Sequence, residues 1–137
     1  MSCIFCDIVD GKSGAEIIYE DENVLSFLDI RPINYGHTLV IPKNHYENFF
    51  SVPAKEMNAV IKATQNISDA VSKSLKTDGF NIVANNGTAA GQSVFHFHFH
   101  IIPRYNTDKF HFRPELKNYG SVSMKEFADK IRNAVIK

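Results

Sequence analysis

Three of the six histidines in this chain lie at every second position of one short segment, His96-Phe97-His98-Phe99-His100. Successive side chains of an extended strand point to opposite faces, so this spacing predicts three imidazoles on one face and large apolar side chains on the other. Imidazole can act near neutral pH as a nucleophile, a proton carrier or a metal ligand. An ordinary solvated strand face would more naturally carry Lys, Glu or Thr, so the pattern indicates a chemical site.

The triad is compatible with two kinds of chemistry. Alternate strand positions lie about 7 Å apart, so two imidazoles can converge on a hydrolytic zinc ion, while the third needs help from strand curvature. In the other interpretation the histidines have separate tasks: His98 attacks phosphorus, a neighbour donates to the phosphate and His96 faces another site. An Nδ1–H bond from His98 to a nearby carbonyl would leave its Nε2 free for the attack.

A polar, glycine-containing loop leads directly into the triad. Its glycines allow close backbone approach, and Asn85, Gln92 and Ser93 are neutral hydrogen-bond donors. The composition is also typical of an ordinary hairpin connection, and the loop lacks the lysine of a Walker A loop. Its position just before the histidines makes it a candidate anion cradle.

Cys3 and Cys6 form a C-x-x-C pair near the N terminus. The pair fits zinc ligands, a redox couple or two small buried hydrophobic residues. His45 and His96 can complete a Cys2His2 set, which would be coordinatively closed and therefore structural. A thioredoxin-like couple is expected at a strand-to-helix junction inside a βαβ unit, which this terminus does not offer.

The hydrophobic pattern predicts five strands and two helices in a single domain, residues 1–137. The predicted strands are 16–19, 24–29, 37–41, 80–84 and 94–102. A long amphipathic helix is predicted from Ala54 to Lys76, and Ser123 has capping-box spacing to a C-terminal helix. Strands that cluster in hairpins around one long helix predict an α+β fold with a mainly antiparallel sheet.

Charge and composition exclude several function classes. Fifteen basic and fifteen acidic residues cancel, so no global field attracts nucleic acid or an anionic membrane. No apolar run reaches transmembrane length, and the N terminus lacks the basic and apolar regions of a secretory signal. We therefore expect a cytoplasmic protein with neither a nucleic acid nor a membrane partner. Asp29, at the predicted end of a strand, fits either a solvated turn or a ribose ligand.

The chain resembles the histidine triad (HIT) family, whose signature is three histidines alternating with hydrophobic residues. The resemblance extends over nearly the whole chain. It includes CIFCDI at 3–8, FLDI at 27–30, GHTLVIPKNH at 36–45 and GQSV at 91–94. The chain looks most like the bacterial members of the Hint-type branch, in which a C-x-x-C pair and two histidines commonly hold a structural zinc. That branch implies a HIT-like fold and a homodimer.

The resemblance also implies a function. It predicts a nucleotide hydrolase or transferase acting at the α-phosphate of a purine nucleoside 5′-phosphate derivative, such as a phosphoramidate, an anhydride or a dinucleoside polyphosphate. His98 matches the nucleophile, and His100 and His37 match groups that support the phosphate and the nucleophile. Asn85, Gln92 and Ser93 match contacts to phosphate or leaving group. Asp29 matches the ribose ligand, and the purine pocket corresponds to Ile4, Phe27 and Ile30.

Two alternatives remain beside this function. One is a metal-dependent hydrolase that uses the histidine cluster, and the other is a nucleotide-sensing module with vestigial activity. The chain departs from the family pattern after the triad, where Pro103-Arg104 stands in place of a Gly-Gly pair found in some Hint-type proteins. This departure places the leaving-group side of the site in question.

Overall fold

The computed structural model describes residues 2–136, which form one five-stranded sheet and three α-helices. The strands are β1 (Ile17–Glu20), β2 (Val24–Leu28), β3 (Thr38–Pro42), β4 (Gly79–Val83) and β5 (Phe99–Arg104), and the helices are α1 (Ile4–Val9), α2 (Ala54–Leu75) and α3 (Met124–Ala134). The sheet order is β1-β2-β3-β5-β4, and every neighbouring pair is antiparallel. The predicted α+β fold with an antiparallel sheet is confirmed. The first four strands begin and end within one residue of the predicted bounds.

Helix α2 covers one face of the sheet, as its apolar periodicity predicts. Val60, Ile67 and Val71 are buried at helical spacing and pack with Val40 and Ile101 of the sheet. The helix ends at Leu75 because the next residue turns into the left-handed conformation, with φ of 52° at Lys76. The predicted helix is therefore correct to within one residue.

Helix α1 covers the opposite face of the sheet, and the sequence pattern did not predict it. Six residues are too few to display a helical period, and so short a helix depends on tertiary packing for its stability. The Cys3 thiol caps it by accepting from the Cys6 N–H at 3.4 Å. Its Phe5 is buried in a second core with Leu25 and Phe27, and the two phenyl rings lie 5.3 Å apart.

The predicted bounds of the last strand, 94–102, are wrong, because β5 begins only at Phe99. The segment before it bonds outside the sheet: the Phe97 N–H donates to the Tyr46 carbonyl at 2.6 Å. His96 and His98 therefore precede the strand. The alternation of side chains nevertheless holds, since Phe97 is buried in the α2 core while both histidine rings contact Phe5.

The C-terminal quarter adds one helix to the sheet domain. Residues 105–123 contain no helix or strand. Helix α3 then begins where predicted, with the Ser123 hydroxyl accepting from the Glu126 N–H at 3.2 Å. Within residues 2–136, no helix combines the length and the apolar composition needed to cross a membrane.

Candidate active site

His98 is held with one ring nitrogen available for chemistry. Its Nδ1 lies 2.7 Å from the main-chain carbonyl of His96, and because a carbonyl can only accept, Nδ1 must carry the proton. The lone pair is therefore on Nε2. The side chain is buried at 7% exposure, and the ring of Phe5 packs edge-on against it at 5.1 Å. Burial lowers the pKa of His98, so the ring is neutral near pH 7.

His37 and His100 form a hydrogen-bonded relay beside His98. The Ile33 N–H donates to Nδ1 of His37 at 3.1 Å, so the proton of the neutral His37 ring is on Nε2. That Nε2 lies 2.9 Å from Nδ1 of His100 and donates to it. The proton of His100 is therefore on its own Nε2. The ring of His100 lies 4.7 Å from that of His98.

Burial keeps this relay neutral. It is the main cause that lowers the pKa of His37. Burial, followed by the neighbouring His98 and His37, lowers the pKa of His100 to about 4. Asp29 opposes both shifts through its negative charge. At neutral pH the site therefore presents one unprotonated Nε2, on His98, and one Nε2–H donor, on His100.

Asp29 lies beside the relay. Its Oδ2 is 3.7 Å from Nε2 of His37, and its Oδ1 accepts from the Arg31 N–H at 2.8 Å. Ligand-type atoms of Asp29, His37 and His100 all lie within 4.8 Å of one another, a spacing that a metal ion would accept. However, Nε2 of His37 carries a proton and offers no lone pair. This group is therefore a hydrogen-bonded cluster, and its geometry does not favour the hydrolytic-metal alternative.

A second cluster joins the four predicted metal ligands. The cluster comprises Cys3, Cys6, His45 and His96. Nδ1 of His96 lies 3.5 Å from both sulfur atoms, and Nδ1 of His45 lies 3.4 Å from Sγ of Cys6. Tetrahedral zinc with ordinary bond lengths would place nitrogen and sulfur ligands about 3.6 Å apart. The donor set and its spacing therefore fit zinc.

The tautomer of His96 also suits a metal ligand. Its Nε2 donates to the Pro42 carbonyl at 2.7 Å, so Nδ1 faces the two thiols with a free lone pair. Burial, then the hydrogen bond with Cys3, raises the pKa of the Cys6 thiol to about 11. Metal binding would have to release that proton. His96 thus links the two clusters, since its ring faces the cysteines and its carbonyl orients His98.

The loop residues predicted to contact phosphate occupy different environments. Gln92 is buried, and its amide spans the loop: Oε1 accepts from the Gly87 N–H at 2.8 Å, while Nε2 donates to the carbonyls of Glu47 and Val94. A phosphate contact would have to replace one of these bonds. Ser93 is exposed and faces the same cleft as the cysteine cluster, and Asn85 is half-buried beside Gly91.

The three residues predicted for a purine pocket differ in exposure. Phe27 is 3% exposed and belongs to the core under α1, whereas Ile4 is 49% exposed and Ile30 is 90% exposed. Ile4 and Ile30 thus offer accessible aliphatic surface, as contact with an aromatic base would require. Phe27 can contribute only from beneath, through its packing against Phe5.

Sequence reasoning missed two groups that orient the histidines. Phe5 packs edge-on against the rings of both His96 and His98. Its only signal was a large aromatic residue inside the C-x-x-C pair. The Ile33 N–H sets the tautomer of His37 as a backbone group, so no side-chain pattern could reveal it.

Comparison with protein families matches residues 10–107 to the HIT domain. The chain belongs to the HIT family. Among relatives of this HIT protein, an uncharacterised HIT-like protein of Methanocaldococcus jannaschii is 56% identical over 77% of the chain and 81% of the relative. The adenylylsulfatase HINT3 of Arabidopsis thaliana is 43% identical over 77% of the chain and 54% of that relative.

Solved structures show the same fold. A HIT family member from Bacillus subtilis superimposes with a TM-score of 0.91 at 37% identity, covering 100% of this chain and 99% of that one. A zinc-bound histidine triad protein from Mycobacterium smegmatis gives 0.77 at 43% identity, covering 98% and 99%. The superposition extends beyond the matched domain at both ends of the chain. It therefore includes the N-terminal segment that carries both cysteines.

Proposed function

We propose that this HIT protein is a nucleotide hydrolase or transferase that cleaves at the α-phosphate of a purine nucleoside 5′-phosphate derivative through a nucleotidyl-His98 intermediate. One observation carries the proposal. A neutral imidazole with its lone pair on Nε2 stands next to a second imidazole whose Nε2 carries a proton. A nucleophile beside a neutral donor is the arrangement that attack on a phosphate ester requires.

The reaction follows from these two nitrogen atoms. The lone pair on Nε2 of His98 attacks the α-phosphorus, and the bond from phosphorus to the leaving group breaks with its electron pair. The Nε2–H of His100 donates to a phosphate oxygen as negative charge develops there. The leaving group takes a proton from solvent. Water then attacks phosphorus and loses a proton to solvent, while the phosphorus–nitrogen bond breaks with its electron pair returning to Nε2 of His98. The product is the nucleoside monophosphate.

Substrate recognition is proposed around this pair. The Asp29 carboxylate, 21% exposed, can accept from ribose hydroxyls without losing its bond to the Arg31 N–H. Ile4 and Ile30 offer accessible apolar surface for a purine base. Ser93 and Asn85 are the loop donors for the phosphate or leaving group. The name of the Arabidopsis relative, an adenylylsulfatase, supports an adenylated substrate.

We further propose that Cys3, Cys6, His45 and His96 hold one structural zinc ion. Four protein ligands close the coordination sphere, so the ion would tie α1 to the segment before β5 and supply no reactive position. The zinc-bound relative from Mycobacterium smegmatis supports this assignment. The protein's own contribution is the Pro42 carbonyl, which directs Nδ1 of His96 toward the thiols.

The active unit is proposed to be a homodimer that joins through the β4 edge. Strand β4 is at an edge of the sheet, and its Phe80 and Ile82 are 45% and 41% exposed. They line a groove of about 410 Å³ against α2, with the hydroxyls of Ser68 and Ser72 buried there without a hydrogen-bond partner among the described residues. A second copy would cover the apolar groups and pair the open strand edge. The cytoplasmic location stays a prediction.

A panel of adenylated compounds tests the function. Purified protein is incubated with an adenosine phosphoramidate, adenylyl sulfate, a dinucleoside polyphosphate and an adenylated sugar phosphate, and AMP release is measured. We expect at least one substrate to turn over and to leave an acid-labile nucleotide on the protein, detected as added mass after rapid quenching.

The variant His98→Ala is the decisive comparison, with His111→Ala as its control because His111 is exposed and outside the site. His98→Ala should lose turnover by at least about 10³-fold while it still binds AMP, since the ribose and base contacts remain. Substantial residual activity in His98→Ala contradicts the covalent route. Binding of AMP without turnover of any compound by the wild type would favour the nucleotide-sensing alternative.

A further inference from the structure

The carboxylate of Asp108 is the centre of a hydrogen-bonded network just after β5. Arg104 binds it through two nitrogen atoms, Nε to Oδ2 at 2.9 Å and Nη2 to Oδ1 at 3.0 Å. The Tyr105 N–H also donates to Oδ2 at 2.9 Å. The side chain of Asp108 is 7% exposed, and its pKa is well below the usual range because Arg104 donates to it. A bidentate, half-buried pair of this kind has a more closely defined geometry than a single-contact pair on the surface.

Asn34 connects this network to the loop between β2 and β3. Its Nδ2 donates to the Pro103 carbonyl at 2.7 Å and to Oδ2 of Asp108 at 3.1 Å. Both amide hydrogens are therefore used to hold the loop against the end of β5. In the main chain, the Asn34 carbonyl accepts from the His37 N–H at 3.0 Å. The next residue toward the N terminus, Ile33, supplies the N–H that sets the tautomer of His37.

We infer that Arg104, Asp108 and Asn34 are positioning residues for the active site: they fix the loop so that the Ile33 N–H keeps the proton of His37 on Nε2. The effect extends to His100, whose Nδ1 accepts a hydrogen bond from that Nε2–H and whose proton therefore stays on its own Nε2. None of the three residues is a predicted substrate contact. The inference rests on the proposed function for its effect on turnover, but not for its effect on the tautomer.

The loop needs such an anchor because it contains no helix or strand. Residues 29–37 join two strands by an irregular path. At Gly36 the path takes a φ of 94°, and a Cβ there would stand 2.3 Å from Cδ1 of Leu75. The packing at Gly36 sets how closely the loop approaches Leu75 at the end of α2. The hydrogen bonds of Asn34 set the position of the loop along β5, since the amide donates to the Pro103 carbonyl and to the Asp108 carboxylate.

Pro103 and Arg104, at which the chain departs from the family pattern, both belong to this network. The Pro103 carbonyl and the Arg104 guanidinium both take part, and Nη1 of Arg104 also donates to Oδ1 of Asn81 at 2.7 Å. The matched HIT domain ends at residue 107, one residue before Asp108. The network therefore joins the triad strand to the chain that follows the matched domain.

The test uses Asn34→Ala and Asn34→Asp in the full-length chain. Asn34 is half-buried and exposed enough for both variants to fold, which circular dichroism and thermal melting verify. Nitrogen-15 NMR of histidine-labelled protein distinguishes a ring nitrogen that carries hydrogen from one that does not. We expect His37 as the Nε2–H tautomer in the wild type and as a mixture of tautomers in both variants.

Turnover is measured on the same samples. We expect kcat to fall by about 10- to 100-fold in the variants with little change in KM, because a misplaced donor affects reaction more than binding. Asp108→Asn should lower kcat similarly, and the double variant with Asn34→Ala should be no worse than either alone, since the residues act as one unit. The matched controls are Asp129→Asn and Asn133→Ala on α3, where Asp129 forms an exposed pair with Arg132.

Each outcome decides the inference. An unchanged His37 tautomer in Asn34→Ala and Asn34→Asp overturns it, whatever happens to kcat. A changed tautomer with unchanged kcat also overturns the catalytic part. If the wild type turns over no adenylated compound, the proposed function fails, and the NMR spectra still decide whether Asn34 and Asp108 hold the tautomer.

Discussion

Replacing His100 by glutamine should weaken the dependence of stability on pH. In the wild type the half-buried ring of His100 has a pKa of about 4, against an ordinary histidine pKa of 6.5, chiefly because burial disfavours the charged ring. Between these values the unfolded chain binds more protons at this residue than the folded protein does. The contribution to stability is therefore fully present above pH 6.5 and is lost as the pH falls toward 4.

The size of the effect follows from the two pKa values. At pH 5 an unfolded histidine is almost fully protonated, whereas the folded His100 is almost fully neutral. The difference amounts to about 2 kcal/mol of unfolding free energy relative to pH 7.5, as an upper bound, because solvent partly screens a half-buried ring. Glutamine does not titrate, so His100→Gln should lack this term.

Urea denaturation at pH 7.5 and pH 5 measures the effect. The wild type should lose more stability between the two values than His100→Gln, by up to about 2 kcal/mol. Comparing the two proteins cancels losses that they share, including any from metal release at low pH. His111→Gln is the control, since His111 is exposed and should leave the wild-type dependence intact. Equal losses in the wild type and in His100→Gln would refute the reasoning that burial holds this imidazole neutral.

Three further predictions concern the zinc cluster, the dimer and the loop. Cys3→Ser should lower zinc content and melting temperature, while the protein that remains folded keeps its kcat. EDTA in the assay should not stop catalysis promptly. Metal analysis near zero for the carefully purified wild type would contradict the site. Ile82→Glu should reduce the mass measured by light scattering to about 15.5 kDa, that of one chain. The control Ile131→Glu on α3 should keep about twice that mass. A wild-type mass near 15.5 kDa at low micromolar concentration would exclude the dimer. Gly36→Ala should lower the free energy of unfolding, measured by urea denaturation, by about 1–2 kcal/mol because the φ of Gly36 is positive. Gly14→Ala should leave this free energy nearly unchanged, since Gly14 has open space around it. Equal stabilities of the two variants would show that the loop relaxes around the added methyl group.

The sequence by itself determined the two longer helices, four of the five strands to within one residue and the types of chemical group, whereas α1 and the start of β5 were not predicted. Apolar spacing in 54–76 sufficed to place α2 within one residue, because a long helix repeats its period many times. The alternation around His98 correctly separated imidazoles from apolar side chains, even though β5 begins later than predicted. Cys3, Cys6, His45 and His96 could also be named as candidate ligands from their donor types, but only the fold brings the histidines to cysteines that are 39 to 93 residues away in the chain.

Only the tertiary structure decided which ring nitrogen carries the proton in His37, His96, His98 and His100. Those decisions are made by backbone groups: the His96 carbonyl for His98, the Ile33 N–H for His37 and the Pro42 carbonyl for His96. Every residue has the same carbonyl, and nearly every residue has the same N–H, so residue identity carries no record of where such a group will lie. The position of the Pro42 carbonyl beside a ring 54 residues away depends on the pairing of distant strands. The chemistry of the site is thus encoded in side-chain types, and its protonation state in the fold.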